Sequence, residues 1–255
     1  MIDVHCHYLP AVDDGAQDLQ TALRLIKLAR AEGVRKLVLT PHIHAGRWDN
    51  SLGFLQPRFD AFRNLVATKD MGVELFLGAE VRLTPEALRL LNKGQIPFIG
   101  GCDGMRVMLL ELPDARIPPN ALAAVRYLMD RGVLPMIAHP ERNKTVMANV
   151  NTLEPFVEEG CMLQLTAASV IGEFGERAFR TARAILKRGW ASVVASDAHN
   201  LRHRRSRMKA AYRYLTRYYD ESVAQQLLVR APRRLLSERK RMCMDAVARL
   251  EAARW

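Results

Sequence analysis

The sequence predicts an α/β protein built on a parallel sheet of seven strands. Two observations carry this. A helix-like run ending at glycine and passing straight into a β-rich run recurs at Glu32-Gly33-Val34, Met71-Gly72-Val73, Arg131-Gly132-Val133, Glu159-Gly160-Cys161 and Arg188-Gly189-Trp190. Glycine just past a helix is the usual left-handed terminator, and helix-then-strand repetition implies parallel pairing. The length of 255 residues also suits one barrel-sized core or two smaller domains. Seven parallel strands suit an incomplete or distorted barrel, with a doubly wound open sheet as the other arrangement.

The elements follow in chain order. Strands are predicted over 2–7 (IDVHCH), 36–40 (KLVLT), 73–79 (VELFLGA), 107–112 (VMLLEL), 133–138 (VLPMIA), 161–165 (CMLQL) and 191–195 (ASVVA). Helices are predicted over 18–32, 55–69, 84–92, 119–131, 173–188, 205–218 and 221–229, with a last one near 235–253. In the first, Leu19, Ala22, Leu23 and Ile26 recur at helical spacing. No linker or low-complexity stretch divides the chain, so 1–255 reads as one domain with a basic helical extension from about 230.

Composition narrows the classes. Hydrophobic residues at 49% and charged residues at 25% are ordinary for a globular protein. Asp3 and His5 interrupt the N-terminus, which argues against a signal peptide, and no apolar run reaches a membrane span. Cys6, Cys102, Cys161 and Cys243 lack C-x-x-C pairing, which fits free thiols and an expected cytoplasmic location. From Asn200 onward there are 15 Lys/Arg against 5 Asp/Glu, so +10 of the net +11 lies in the last fifth. Such a segment suits solvated helix faces or peripheral contact with an anionic membrane or acidic partner; the near-neutral body argues against nucleic acid.

The chemistry gathers at the strand ends. His5 and His7, two apart on a strand, point to one face. Asp13-Asp14-Gly15 follows, then Thr40-Pro41-His42, Gly78-Ala79-Glu80, Glu111, His139-Pro140-Glu141-Arg142, Gln164 with Thr166, and Ser196-Asp197-Ala198-His199. C-terminal strand ends are where α/β barrels and open sheets place active sites. A single buried histidine is more often a hydrogen-bonded core residue. Four carboxylates and five imidazoles converging in one cleft are another matter, because their burial is costly without cations. A His/carboxylate set without thiolate fits Mn, Fe or Zn, and nine ligands suit two or three ions. Paired metals acidify a shared water into a nucleophile.

"HCH", "DDG", "TPH", "GAE", "LLELP", "IAHPER" and "SDAHN" resemble the PHP superfamily (polymerase and histidinol phosphatase). The likeness is closer to its bacterial protein-tyrosine phosphatase branch, tied to capsule and exopolysaccharide synthesis. It runs from Met1 to about Leu236, including "LQLTAASVIGEFGERA" and "APRRLL". It implies a distorted (β/α)7 TIM-like barrel of the PHP type and a trinuclear centre, most often of manganese. By the same resemblance, His5, His7, Glu80 and Asp197 would surround one metal, with Glu80 bridging to a second completed by Glu111 and His139. Asp14, His42 and His199 would serve the third. Arg142 and Arg204 would hold phosphate, as forked guanidinium donors suit. Arg204 stands among Arg202, Arg205 and Arg207, and Asp14 beside Asp13, so each is open by a neighbour.

The expected activity is metal-dependent hydrolysis of phosphotyrosine in proteins, with Asp197 or His199 available to protonate the leaving group. A plausible partner by resemblance is the tyrosine-rich tail of a polysaccharide-synthesis kinase. The alternatives are a small ester such as histidinol phosphate or a sugar phosphate, a nucleic-acid end, or a scaffold role. Trp48 and Tyr8 could flank a substrate ring but are better explained by packing; His44 stays open between site and surface, and His203 reads as surface. Cys243 and Arg249 match the C-x5-R spacing of cysteine phosphatases, but no glycine-rich loop accompanies them.

Overall fold

The structure, a computed structural model, describes residues 1–239 and Arg241. Its strands are β1 (Ile2–Cys6), β2 (Lys36–Leu39), β3 (His42–Ile43), β4 (Glu74–Leu77), β5 (Glu80–Arg82), β6 (Gly100–Cys102), β7 (Met105–Glu111), β8 (Val133–Ala138), β9 (Met162–Thr166) and β10 (Val193–Ala195). One sheet runs β1-β2-β4; the other runs β10-β9-β8-β7-β5-β3 with β6 alongside β7.

The predicted strands 36–40 and 73–79 each appear as two short ones. Pro41, which has no N–H to give a ladder, interrupts β2/β3. Gly78 interrupts β4/β5, where a Cβ would lie 2.7 Å from Ile99 Cγ2. Rejoined, these pieces leave seven parallel courses in chain order: β1, β2/β3, β4/β5, β7, β8, β9 and β10. A doubly wound sheet would reverse its order partway, and this one does not. Its two ends meet at a parallel bridge between Cys6 and Ala198, where the His7 N–H donates to Ala198 O (2.9 Å) and the Asp197 N–H to His5 O (2.8 Å). The wall therefore curls into a distorted barrel whose ladder is thinnest at this seam.

Alternate strand residues face inward. Val4, Val38, Leu109, Met136, Val193 and Ala195 form an inner group with Leu235 and Leu236 of the late helix. Met108, Leu110, Ile137 and Val194 pack outward against the helices. The β1–β2 register shifts between Asp3 and Cys6, an irregularity of the kind that re-aims side chains beside active sites.

The helices are α1 (Leu19–Ala31), α2 (Leu52–Thr68), α3 (Pro85–Asn92), α4 (Ala121–Met129), α5 (Lys144–Ala148), α6 (Glu154–Glu158), α7 (Ala167–Val170), α8 (Glu176–Lys187), α9 (Met208–Tyr218) and α10 (Glu221–Gln225). The side chains of Asp18, Ser51 and Thr84 cap α1, α2 and α3. Ser51 starts α2 a turn before the expected residue 55 and leaves Pro57 inside the helix. α5, α6 and α7 lie outside the predicted helices, being too short to show periodicity. A short antiparallel hairpin, β6–β7, was also unexpected. Asp103 and Gly104 turn it with positive φ (50° and 81°), and the Asp-Gly pair is its sequence signal.

The break expected between 229 and 235 is absent. Helix continues from α10 through a π turn (Gln226–Arg230) to residue 239. The wide turn comes just before Pro232, whose ring would crowd the carbonyl of an ordinary turn. The basic extension placed at 230–255 thus begins in packed helix; residues 240 and 242–255, with Cys243 and Arg249, lie outside the described residues. Cys6, Cys102 and Cys161 are free. No helix among the described residues is long and apolar enough to cross a membrane.

Candidate metal centre

The strand ends bring nine predicted side chains to one place. His5 Nε2 and His7 Nε2 stand 3.1 Å apart. Each is 3.2 Å from Glu80 Oε2, and they lie 3.3 and 3.5 Å from Asp197 Oδ1. Glu80 pairs in register with His42 on the neighbouring strand, whose Nδ1 is 3.2 Å from Oε2. His139 Nε2 is 2.7 Å from Glu80 Oε1, so one carboxylate meets four imidazoles. Glu111 Oε2 lies 4.0 Å from His42 Nδ1. On the far side, Asp14 Oδ1 is 3.4 Å from His42 Nε2 and 3.5 Å from His199 Nε2.

Three four- or three-residue sets result: His5, His7, Glu80 and Asp197; His7, Asp14, His42 and His199; and His42, Glu80 and Glu111, with the ligand-type atoms of each set within 4.8 Å of one another. The first matches the expected grouping. In the other two, His7 and His42 each serve two sets, and His139 joins through Glu80 alone.

Neighbours fix the rings. His5 donates from Nδ1 to Gln164 Oε1 (2.9 Å), His7 to Asp13 Oδ2 (2.8 Å) and His199 to the Asp197 carbonyl (3.0 Å). Each ring is left with its Nε2 facing the cluster, the arrangement that orients a metal-binding histidine. Asp13 also accepts from the backbone N–H of Gly15 (2.9 Å) and His42 (3.0 Å), so it supports the centre while Asp14 enters it. His139 and Asp197 hold positive φ, 32° and 50°, strain that clusters at functional sites.

The donor set fits cations. Asp197 Oδ1, Glu111 Oε2, His42 Nδ1 and His199 Nε2 are buried with no hydrogen-bond partner, although each has a neighbouring ligand-type atom within 4 Å. They are aimed at shared points and not at one another. Burial opposes ionisation of Glu80, yet His5, His42 and His139 hold its carboxyl well below the usual range. Burial likewise opposes Asp197, which Arg204, His5 and His199 keep low. Burial and the Glu80 charge push Glu111 up to about 7. Burial and His7 lower His199 to about 4, leaving a neutral ring. Burial disfavours charge on His7, but Asp13 and the other acids raise its pKa well above normal, so a metal would displace a proton there.

Beside the cluster, Asp197 Oδ2 accepts from both Arg142 Nη1 and Arg204 Nη2, the latter at 2.7 Å. Arg204 thereby stands out from its neighbours: Arg207 pairs with Glu173 (2.7 Å), and Arg202 and Arg205 are exposed. Both arginines line a polar cleft of about 110 Å³ with Asp14, His42, Glu111 and His139. A larger depression of about 580 Å³ by Arg35 and Arg63 contains none of these groups.

Tyr8 is fully buried and His203 exposed, as expected. Trp48 differs: it lines the cleft, stacked on His42 at 4.6 Å and 9°. His44 lines the cleft too, and burial lowers its pKa. The orienting roles of Gln164 and Asp13 went unread, as did Arg82, which donates to Glu111 Oε1 (2.8 Å). The doubled acid in "DDG" was the one available signal.

Asp3 lies buried below the centre, accepting the Ser196 N–H (2.9 Å) at Oδ1 while Oδ2 has no partner. Burial raises its pKa to about 6 against the pull of Ser196. The folded state therefore holds this proton more tightly than the unfolded chain, so stability falls as pH rises from about 4 to about 6. Above that the full penalty stands, about 3 kcal/mol. Asp3→Asn is expected to raise the melting temperature of metal-free protein at pH 7. The gain should vanish below about pH 4; calorimetry showing the reverse trend would discard the assignment.

The family model described as capsular polysaccharide synthesis, CpsB/CapC, matches residues 1–237. The chain belongs to the CpsB/CapC family. Among its relatives, the CapC protein of Staphylococcus aureus is 32% identical over 223 residues, covering 87% of this chain and 86% of that one. The tyrosine-protein phosphatase CpsB of Streptococcus pneumoniae is 28% identical over 243 residues, 93% of this chain and 99% of that one. A solved structure from work on Bacillus subtilis YwqE and S. pneumoniae CpsB, described as unique metal-dependent tyrosine phosphatases, superposes with a TM-score of 0.86. It is 29% identical, covering 94% of this chain and 95% of that chain. An organophosphorus hydrolase variant from Deinococcus radiodurans shares the fold at 13% identity (TM-score 0.51, 91% of each chain). The CpsB/CapC likeness spans the barrel and every clustered residue.

Proposed function

We propose that this protein is a metal-dependent phosphatase that hydrolyses phosphotyrosine in proteins of capsule or exopolysaccharide synthesis. The observation that carries the reading is the lodging of buried, mutually unpaired His and carboxylate atoms beside two cleft arginines, in a CpsB/CapC chain. His5, His7, Glu80 and Asp197 would hold one ion, His7, Asp14, His42 and His199 another, and His42, Glu80, Glu111 and His139 a third. Manganese suits this oxygen–imidazole set, with iron or zinc as other occupants. Bound there, such ions supply an acidified water and neutralise phosphoryl charge.

The chain's own groups do the rest. Arg142 and Arg204, now sharing Asp197 Oδ2, offer forked donors to a phosphate entering the cleft. Gln164, Asp13 and the Asp197 carbonyl hold the rings in the tautomer that ligation needs. A phenolate leaves readily, so the reaction asks little of an acid; Asp197 and His199, expected as proton donors, are both held in their proton-free forms and serve the reading as ligands. The substrate is assigned as the tyrosine-rich tail of a polysaccharide-synthesis kinase, with peripheral membrane contact through the basic C-terminal segment.

Turnover of a phosphotyrosyl peptide, histidinol phosphate and single-stranded DNA by manganese-loaded protein tests the reading. The peptide should win; a dominant small ester or DNA end would overturn the phosphotyrosine assignment. Arg142→Ala should cost about 2–4 kcal/mol in kcat/KM. Wild-type kinetics in that variant would remove Arg142 from phosphate recognition.

A further inference from the structure

The loop from Ile43 to Asn50 holds a charge that the cluster does not use. Its ends are tied: His44 N–H donates to Trp48 O (3.0 Å), Trp48 N–H to His44 O (2.8 Å), and Gly46 N–H to Asp49 Oδ1 (2.7 Å). Asn50, buried, donates from Nδ2 to the carbonyls of Val12 (2.9 Å) and His42 (2.8 Å), fastening the loop to the side-chain cluster. On this frame Trp48 lies flat on His42, and the Arg47 guanidinium lies over the Trp48 ring, 4.1 Å from its centre. Imidazole, indole and guanidinium thus form one connected stack, with His42 in the proposed centre and Arg47 exposed at the cleft mouth.

Trp48 is already engaged by both His42 and Arg47. Its part is to hold Arg47 by a cation–π contact at fixed height. The other cleft arginines have carboxylates: Arg142 and Arg204 share Asp197, and Arg82 faces Glu111 and Asp114. The cleft acid Asp14 faces His42 and His199. Arg47 pairs with no carboxylate among the described residues, and Asp49, two positions on, is turned to the Gly46 N–H.

We propose that Arg47 is a specificity-determining residue that takes an aspartate or glutamate next to the phosphotyrosine of a protein substrate. The inference rests on the phosphotyrosine reading. With the phosphate at the cluster, the tyrosine side chain spans the depth of the stack, which brings the peptide backbone and its flanking side chains level with the exposed guanidinium. A free arginine pre-set on a rigid support selects a carboxylate there with little ordering cost.

The test compares kcat/KM, in manganese-loaded protein, for two phosphotyrosyl peptides that differ only in acidic against alanine flanks. The wild type should favour the acidic peptide about two- to fivefold, the range of a rim-exposed ion pair, and less at high salt. Arg47→Ala should bring the ratio to near one, mostly through KM, and Arg47→Glu should invert it. Arg47→Lys should keep part of the preference. No acidic preference in the wild type, or a ratio that survives Arg47→Glu, overturns the proposal. Melting temperatures show whether each variant is folded, and the peptide ratio is internal to each variant. Failure of the underlying reading looks different: neither peptide is cleaved while another phosphate ester is, and that result overturns both.

Discussion

Glu80→Gln is expected to remove bound metal and to lower turnover of a phosphotyrosyl peptide by about 4 kcal/mol or more, roughly a thousandfold. Glu80 is 1% exposed and its two oxygens reach His5, His7, His42 and His139. The change keeps shape and volume but takes away the anion that balances four imidazoles and bridges the proposed sites. Chelation of the wild type should produce the same loss, and manganese should restore activity to the wild type but not to the variant. Metal analysis with thermal unfolding separates a lost centre from a lost fold. A folded variant with a full metal complement and normal turnover would take Glu80 out of the chemistry.

Gly15→Ala should be the most damaging single methyl group at the centre. A Cβ there would stand 2.1 Å from His7 O, 2.5 Å from His7 Cβ and 2.9 Å from Asp13 Oδ1. The first two are fixed by the backbone, and the Asp13 carboxylate is held by His7 and by the Gly15 N–H. They belong to a histidine of the cluster and to the carboxylate that orients it. Relief requires the loop after β1 to move away from His7, with the loss of the hydrogen bonds from Gly15 N to Asp13 Oδ1 (2.9 Å) and from Ala16 N to His7 O (3.0 Å). A cost of about 3 kcal/mol follows, lowering the melting temperature by about 5–10 °C. Activity should be poor even where the variant stays folded, because His7 loses its place. A variant with wild-type melting and wild-type metal content would show that the loop yields freely.

Much of this was legible in one dimension. Gly33, Gly72, Gly132, Gly160 and Gly189 all adopt positive φ, as helix terminators preceding strands must. His5 and His7 share a face because strand side chains alternate, and His42, Glu80, Glu111, His139 and Asp197 each follow or end a strand of the predicted type. What periodicity missed was short or conditional. The helices α5, α6 and α7 have five residues or fewer. The π turn makes room for the Pro232 ring, and beyond it Leu235 and Leu236 pack on the inner group of the barrel. Gln164 stands with Thr166 at a strand end in the sequence, and only the approach of His5 from a strand 159 positions away gives its amide a task.

Element type and side-chain alternation are local properties, set by backbone sterics and glycine's freedom, so the chain alone carried the parallel α/β class and the membership of the cluster at the strand ends. Distances among groups from different strands are not local. They come from the barrel's curvature, the register shift in β1 and the seam between Cys6 and Ala198. That is why the sharing of His7 and His42 between sets, the choice of Arg204 over its neighbours and the stack that lifts Arg47 appear in three dimensions alone.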